Sequence, residues 1–248
     1  MTSATLSPPF TSPAHLIPIL SQQGYAALSP QGLAELSGCQ LDHLDAWRAS
    51  WNDLPLDLYL KDGGRYRRRR HSCFEVDGQQ VEQVAHRAHW QPLSYNALHG
   101  GMQRWFEPMS PALVSQTEWA ALLRWLGGVC SALKGHQPWF VEAHQFRIDT
   151  SDGIGRPTPE GAHRDGVDFV AVLLVGRANV KGGETRVFEA TGPNGQRFTL
   201  AEPWSLLLLD DERVIHESTP IQPTGDGAYR DTLVLTYRSG RFQDDVGV

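Results

Sequence analysis

"GAHRDGVDFVAVLLV" (161–175) places His163 and Asp165 two residues apart, immediately before a run of apolar and β-branched residues. That spacing admits two readings, a pair of metal ligands or a polar loop leading into a strand. On a strand, residues i and i+2 project from one face, so two side chains converge on one ion. On a helix the same spacing rotates them by about 200°, and they diverge. A second copy, His43-Leu44-Asp45, lies in "QLDHLDAWRASWND" (40–53), whose apolar residues at 41, 44, 47 and 51 form a helical stripe. That copy is expected to be solvated helix surface. His163-x-Asp165, at the entry of a β-segment, remains the candidate chelating pair.

The texture around the pair supports a strand. From about residue 139, "WFVEAHQFRI", "DFVAVLLV", "ETRVFEA", "QRFTLA", "WSLLLLD" and "DTLVLTYR" are short strand-like runs divided by Gly/Pro/Asn/Asp clusters such as "GRANVKGG" and "TGPNGQ". With no helical segment between them, they predict an antiparallel sandwich or barrel. The N-terminal half reads differently. A short helix is expected in "AHLIPILSQQ", then a turn at Gly24, a strand at 25–28 and a helix capped by Ser29 with Pro30 at its first position. "RYRRRRHSCFEV" (65–76) is β-like despite its charge, and 116–134 reads as the long helix, weakened by Gly127-Gly128. The fold class expected is mainly β with N-terminal helices (α+β). Residues 1–13 read as a disordered lead. Residues 14–248 read as one domain, with a helical part over about 14–135 and a β-core over about 139–240.

A third ligand should come from another strand facing the same cavity. His216 in "WSLLLLDDERVIHESTPI" is the candidate: a buried strand, a turn at Asp210–Arg213, then a short strand carrying the histidine. Fourteen residues later, Arg230 and Thr232 in "YRDTLVLTYR" share one face of a strand. Two imidazoles and one carboxylate on adjacent positions form the facial triad of non-haem Fe(II) oxygenases, whose open positions take a bidentate co-substrate and O₂. A guanidinium with a neighbouring hydroxyl suits the far carboxylate of a dicarboxylate co-substrate.

The order H-x-D, then "GGET" (182–185) opening a strand, the distal His and R-x-T resembles the core of the Fe(II)/2-oxoglutarate dioxygenases over residues 160–238. "WQPLSYNALHGGMQRWFEPM" (90–109) and "HQFRI" (144–148) extend the resemblance to the bacterial L-isoleucine dioxygenase-like branch, which hydroxylates free amino acids. The resemblance implies a double-stranded β-helix (jelly-roll, cupin-like) core flanked by helices. It also implies Fe(II) on His163, Asp165 and His216, with 2-oxoglutarate on Arg230 and Thr232, O₂ as oxidant, and succinate and CO₂ as products. The gap of fourteen residues between His216 and Arg230 is long for the superfamily and leaves Arg238 as a reserve carboxylate binder.

Other residues have a bland reading beside the functional one. Arg67–Arg70 suit a solvated or ion-paired strand better than a nucleic-acid patch, although alternation leaves one pair, 67/69 or 68/70, able to line a pocket. His144 and Gln145 point to opposite faces. His144 reads as a core histidine, while Gln145 and Arg147 are candidates for substrate contact. Asn96 and Arg104 flank Gly100-Gly101 in a candidate lid, and Gly182-Gly183 reads as a tight turn. Cys73 and Cys130 read as small buried hydrophobes, and Trp105, Phe106 and Trp125 as core.

The bulk numbers narrow the class. The 248-residue chain is 40% hydrophobic, and its net charge of −6 argues against phosphate-driven nucleic-acid binding. Its three cysteines form no C-x-x-C pattern and fit a reducing cytoplasm. Neither a membrane span nor a secretory signal is expected. The expected partner is a small molecule, a free amino acid. The alternatives are a dioxygenase acting on a peptide or other small molecule, and a non-catalytic cupin-like binding module.

Overall fold

The computed structural model describes residues 6–96 and 98–244. Three short helices lie near the N-terminus: α1 (Leu16–Gln23), α2 (Pro30–Ser37) and α3 (Leu41–Ala46). β1 (Tyr25–Leu28) runs between α1 and α2. Gly24 ends α1 at φ 79°, where any Cβ would lie 3.0 Å from both Arg213 and Val214. The Ser29 hydroxyl accepts from the Gly32 amide at 3.1 Å, and Pro30 opens α2, as the capping pattern requires.

The helical expectation for 14–135 is too broad. After a 3₁₀ turn at Trp47–Trp51, the chain enters β2 (Arg67–Asp77) and β3 (Gln80–Gln83), then the short α4 (Pro111–Val114) and the 18-residue α5 (Thr117–Lys134). β2 pairs with β4 along nearly its whole length, and its buried Arg67 and Arg69 alternate with the half-buried Arg68 and Arg70, a period of two that charge alone obscures. Gly127 does not break α5. It sits where the helix crosses the sheet, and a Cβ there would come within 2.9 Å of Val76. The lead also differs from expectation. Thr11 donates its amide to the Ala27 carbonyl at 2.7 Å, and Thr199 donates to Leu6 at 2.9 Å, so residues 6–13 are tied to the body. Residues 1–5 of that lead lie outside the described residues.

The remaining strands are β4 (Trp139–Asp149), β5 (Phe169–Ala178), β6 (Val180–Gly182), β7 (Thr185–Glu189), β8 (Gly195–Phe198), β9 (Leu206–Asp210), β10 (Val214–Ser218), β11 (Ile221–Pro223) and β12 (Tyr229–Ser239). They build a seven-stranded sheet in the order β1-β9-β5-β12-β4-β2-β3, with smaller sheets β10-β7-β8 and β11-β6. All these strand pairs are antiparallel. The molecule is thus mostly β with modest helices.

Strand alternation divides each long strand between two environments. Phe169, Ala171, Leu173 and Val175 of β5, with Leu233, Leu235 and Tyr237 of β12, join Trp47, Trp119, Leu122 and Leu126 in a core under the helices. Val170 and Leu174 point the other way and pack with Val187, Phe198, Leu207 and Val214 between the sheets. Where that second layer opens, its place is taken by polar residues around a cavity. Among the aromatics expected in the core, Phe106 is buried, whereas Trp105 is 54% exposed. Trp125 packs half-buried against the main core. All three cysteines are buried and free.

Candidate active site

One cavity takes its walls from β2, β4, β10, β12 and the loop ahead of β5. Each strand contributes one alternation class: Arg67 and Arg69 from β2; Glu142, His144, Phe146 and Ile148 from β4; Arg230, Thr232, Val234 and Thr236 from β12. Val172 of β5, His163, Asp165 and His216 complete that floor.

His163 and His216 exchange backbone hydrogen bonds, 3.0 Å in each direction, so the loop pairs as a strand at this point. Their rings lie 4.6 Å apart, and the Nε2 atoms stand 3.9 Å and 3.8 Å from the two Asp165 oxygens. The ligand atoms of all three residues fall within 4.8 Å of one another, a group that could hold a metal ion. Nδ1–H of His163 donates to the Gly161 carbonyl at 2.9 Å, which leaves Nε2 as the lone-pair nitrogen facing Asp165. His216 Nδ1 is buried without a partner. Burial, reinforced by His163, keeps the His216 pKa far below the usual imidazole value, so that ring is neutral. Burial acts downward on His163 as well, but Asp165 and Glu160 outweigh it and leave its pKa raised. A divalent cation would compete with any proton on His163 Nε2 for that lone pair.

The loop holding Asp165 is fixed from behind. The Asp211 carboxylate accepts from the amides of Asp165, Gly166 and Val167 at 3.0, 2.8 and 3.2 Å. Burial and the Asp165 charge push Asp211 up to about 7. From the front, Gln91 donates from Nε2 to Asp165 Oδ1 at 3.2 Å, and its Oε1 accepts from Arg104 at 2.9 Å and Asn96 at 3.1 Å. The sequence signal for Asp211 was slight, the second aspartate of "LDDERVIH". Gln91 offered none.

Arg230 and Thr232 lie on the cavity face of β12, both 3% exposed. Arg230 forms no ion pair among the described residues, and its Nε is buried without a hydrogen-bond partner. Burial and then Arg177 bring its pKa down to about 10, which keeps it charged at neutral pH. Gly182 and Gly183 make the expected turn, at φ 81° and 67°. A Cβ on Gly183 would stand 3.4 Å from Arg230 Cδ. An uncompensated buried guanidinium fits an incoming carboxylate. Arg238, the reserve, instead donates to the Arg241 carbonyl at 2.8 Å and does not line this cavity.

Gln145 and Arg147 face away from the cavity, which corrects the expectation that they contact substrate. Alternation places them on the outer face of β4, opposite Glu142, His144 and Phe146. Arg147 forms a two-pronged ion pair with Asp231, at 2.8 Å and 2.7 Å, directly across the strand pair. Gln145 donates to the Ser50 hydroxyl at 2.8 Å. The arginines that reach the cavity are Arg67 and Arg69, while Arg68 pairs with Asp149 and Arg70 with Asp53 and Glu107 on the outside. Arg104 and Asn96 of the candidate lid also line the cavity, and the backbones of His89 and Arg104 pair to close that loop at its base. His43 and Asp45 behave as helix surface, His43 against Glu118 at 2.5 Å and Asp45 accepting from Trp204 at 2.8 Å.

Comparison with known proteins agrees with this geometry. A family model described as 2OG-Fe dioxygenase matches residues 48–236. The crystal structure of a bsmA homolog from Methylobium petroleophilum PM1 is similar at 56% identity and TM-score 0.89, covering 95% of this chain and 96% of that one. Two further structures share the fold. IDO from Bacillus thuringiensis does so at 18% identity and TM-score 0.75, over 94% of this chain and 100% of that one. The Fe(II)/(alpha)ketoglutarate-dependent dioxygenase TqaL does so at 19% and 0.70, over 94% and 90%. No curated protein matches the chain. The alternative of a non-catalytic binding module gives way. The chain belongs to the 2OG-Fe dioxygenase family, and is an enzyme that uses Fe(II), 2-oxoglutarate and O₂.

Proposed function

We propose that this enzyme hydroxylates an unactivated C–H bond of a free L-amino acid on a double-stranded β-helix core, releasing succinate and CO₂. In this reading His163, Asp165 and His216 hold the iron. Arg230, with Thr232 beside it, binds the far carboxylate of 2-oxoglutarate. Iron with 2-oxoglutarate and O₂ supplies the oxidising capacity when bound. The protein's own task is to orient the target carbon and keep water out.

The observation that carries the substrate class is the charge on the remaining cavity wall. Arg67, Arg69 and Arg104 are all buried there, and the carboxylates that act on Arg104 are those of Asp57, Glu142 and Glu160. Arg69 is already engaged, its guanidinium 3.8 Å and 4.4 Å from the ring centroids of Phe106 and Phe146. Arg67 donates to Asp57 at 2.7 Å but keeps Nη2 without a partner, and Arg104 keeps Nε without one. Unpartnered guanidinium nitrogens in a cavity that Gln91, Asn96 and Arg104 also line favour a small carboxylate-bearing substrate over a protein side chain. Cytoplasmic residence belongs to the same proposal, and the free, buried cysteines support it. No helix among the described residues is long and apolar enough to cross a membrane.

The test is a comparison of each free amino acid with its N-acetyl and C-amide forms, following gain of one oxygen by mass spectrometry. The free acid should react far faster, because a blocked end leaves a buried charge unpaired. Equal rates for all three forms would transfer the activity to peptides or other small molecules.

A further inference from the structure

The cavity carries a second cluster of histidine and carboxylate. His71, His89, His144 and Glu142 are all buried, and each offers an atom within 4.8 Å of the others. By proximity alone this is a metal site, but its hydrogen bonds argue otherwise. Arg69 donates to His144 Nδ1 at 2.7 Å, and a guanidinium can only donate, so the neutral ring carries its proton on Nε2, the atom facing Glu142. His89 spends Nδ1–H on Glu142 Oε2 at 2.6 Å. Two of the three imidazoles therefore present protons rather than lone pairs to the centre. A dication there would also meet the charges of Arg69 and Arg104, which act on His89 and His144, and would be repelled twice as strongly as a singly charged group.

What the cluster lacks, among the described residues, is a cation in direct contact with Glu142; Arg87, Arg69 and Arg104 act on it from farther away. Burial keeps all three imidazole pKa values below the usual range, His71 down to about 3, so none is charged at neutral pH. No Lys or Arg among the described residues ion-pairs with Glu142, whose contacts of this kind are the three neutral histidines. Its Oε1 is buried with no hydrogen-bond partner, and the side chain lines the cavity. Burial holds its pKa above the ordinary carboxylate range, the mark of a charge that gains from an added cation. An ammonium group fits better than a metal. It donates where a metal would need lone pairs, and its single charge suits one carboxylate.

Resting on the amino-acid reading above, we propose that Glu142, held by the hydrogen bond from His89 and flanked by His71 and His144, accepts the α-ammonium group of the substrate, while Arg67 and Arg104 receive the substrate carboxylate. Glu142 is then the residue that distinguishes an amino acid from the corresponding simple carboxylic acid. The rival acceptor in the cavity is Glu160, whose Oε2 is also buried without a partner. It lies 3.6 Å from His163 Nε2, inside the iron site, where an ammonium would place the α-carbon rather than the side chain at the metal.

The experiment screens the twenty proteinogenic L-amino acids. It then compares the best of them with the carboxylic acid that lacks its α-amino group, in wild type, Glu142→Gln, Glu142→Asp and Glu160→Gln. Binding to the anaerobic Fe(II)/2-oxoglutarate-loaded protein is measured by calorimetry beside turnover. Wild type should prefer the amino acid strongly, and Glu142→Gln should cut that preference by about tenfold or more by weakening amino-acid binding alone. Glu142→Asp should fall between them, and Glu160→Gln should keep the preference. The visible absorption band of the iron–2-oxoglutarate complex reports folding, and if Glu142→Gln lacks it the aspartate variant decides alone. If no amino acid is turned over, both this assignment and the amino-acid reading fall. If one is, but the preference survives at Glu142 or is lost at Glu160, only this assignment falls. A second equivalent of Fe(II) or Zn(II) bound by wild type and lost in Glu142→Gln would overturn it in favour of a metal.

Discussion

Two clusters of histidine and carboxylate face one cavity, and what separates them is the partner on the far ring nitrogen. In the 163/165/216 group, His163 gives its Nδ1 proton to a backbone carbonyl, so its lone pair points at Asp165. In the 71/89/142/144 group, Arg69 occupies Nδ1 of His144, so a proton points at Glu142. The longer nitrogen-to-oxygen gaps match, 3.9 and 3.8 Å in each, while His89 stands 2.6 Å from Glu142. Those longer gaps cannot tell a chelating site from a hydrogen-bonded carboxylate. The direction of the hydrogen bonds does so.

The largest effect that would break this contrast is loss of a ligand. His163→Ala, Asp165→Ala and His216→Ala should each abolish turnover, since three ligands leave no spare; substantial turnover in His216→Ala would remove the triad assignment. Next comes the co-substrate. Arg230→Ala deletes a buried charge-assisted pairing, about 2–5 kcal/mol, so KM for 2-oxoglutarate should rise by about tenfold or more. An unchanged KM, with Arg238→Ala raising it instead, would reassign the anchor.

Smaller effects sharpen the comparison. Asp211→Asn leaves one carbonyl oxygen to serve three amides and should weaken iron affinity by about 10–100-fold, read by anaerobic titration. If affinity is unchanged, the Asp165 loop holds its shape unaided. Arg147→Ala strands the buried Asp231 carboxylate and should cost about 1–3 kcal/mol of stability in denaturant, with no change in KM for substrate. A raised KM would return Arg147 to the site. The smallest expected change is at the decoy pair, where His43→Ala should stay within about 0.5 kcal/mol of wild-type stability and keep full activity.

Legibility followed the same divide. The grouping of His163, Asp165 and His216 and the shared face of Arg230 and Thr232 could be anticipated from local spacing, although Asp165 lies in a loop held by Asp211 rather than on a strand. The helical stripe that disqualified His43 and Asp45 was equally local. The substrate wall was not readable in that way. Alternation separated Arg67 and Arg69 from Arg68 and Arg70, and His144 from Gln145, yet the inward face depends on which side the helices cover. That is a tertiary fact, settled where Val141 and Ala143 pack in the core with Trp119 and Leu122. Choosing Gln145 and Arg147 took the helix side for the cavity side. Glu142, in "WFVEAHQF", lies on the cavity face with His144. The breadth of the helical N-terminal half was misjudged because four consecutive arginines hide a strand whose inward pair is buried beside Asp57 and two phenylalanines.

Of the two clusters, His163, Asp165 and His216 alone are expected to bind metal. Anaerobic titration of the apoprotein with Fe(II) in the presence of 2-oxoglutarate, following both the visible charge-transfer band and metal content after desalting, tests it most directly. One iron per chain is expected, with the band and the metal both lost in His216→Ala and both retained in His71→Ala. Two irons per chain, or an iron that survives His216→Ala and disappears in His71→Ala, would contradict it.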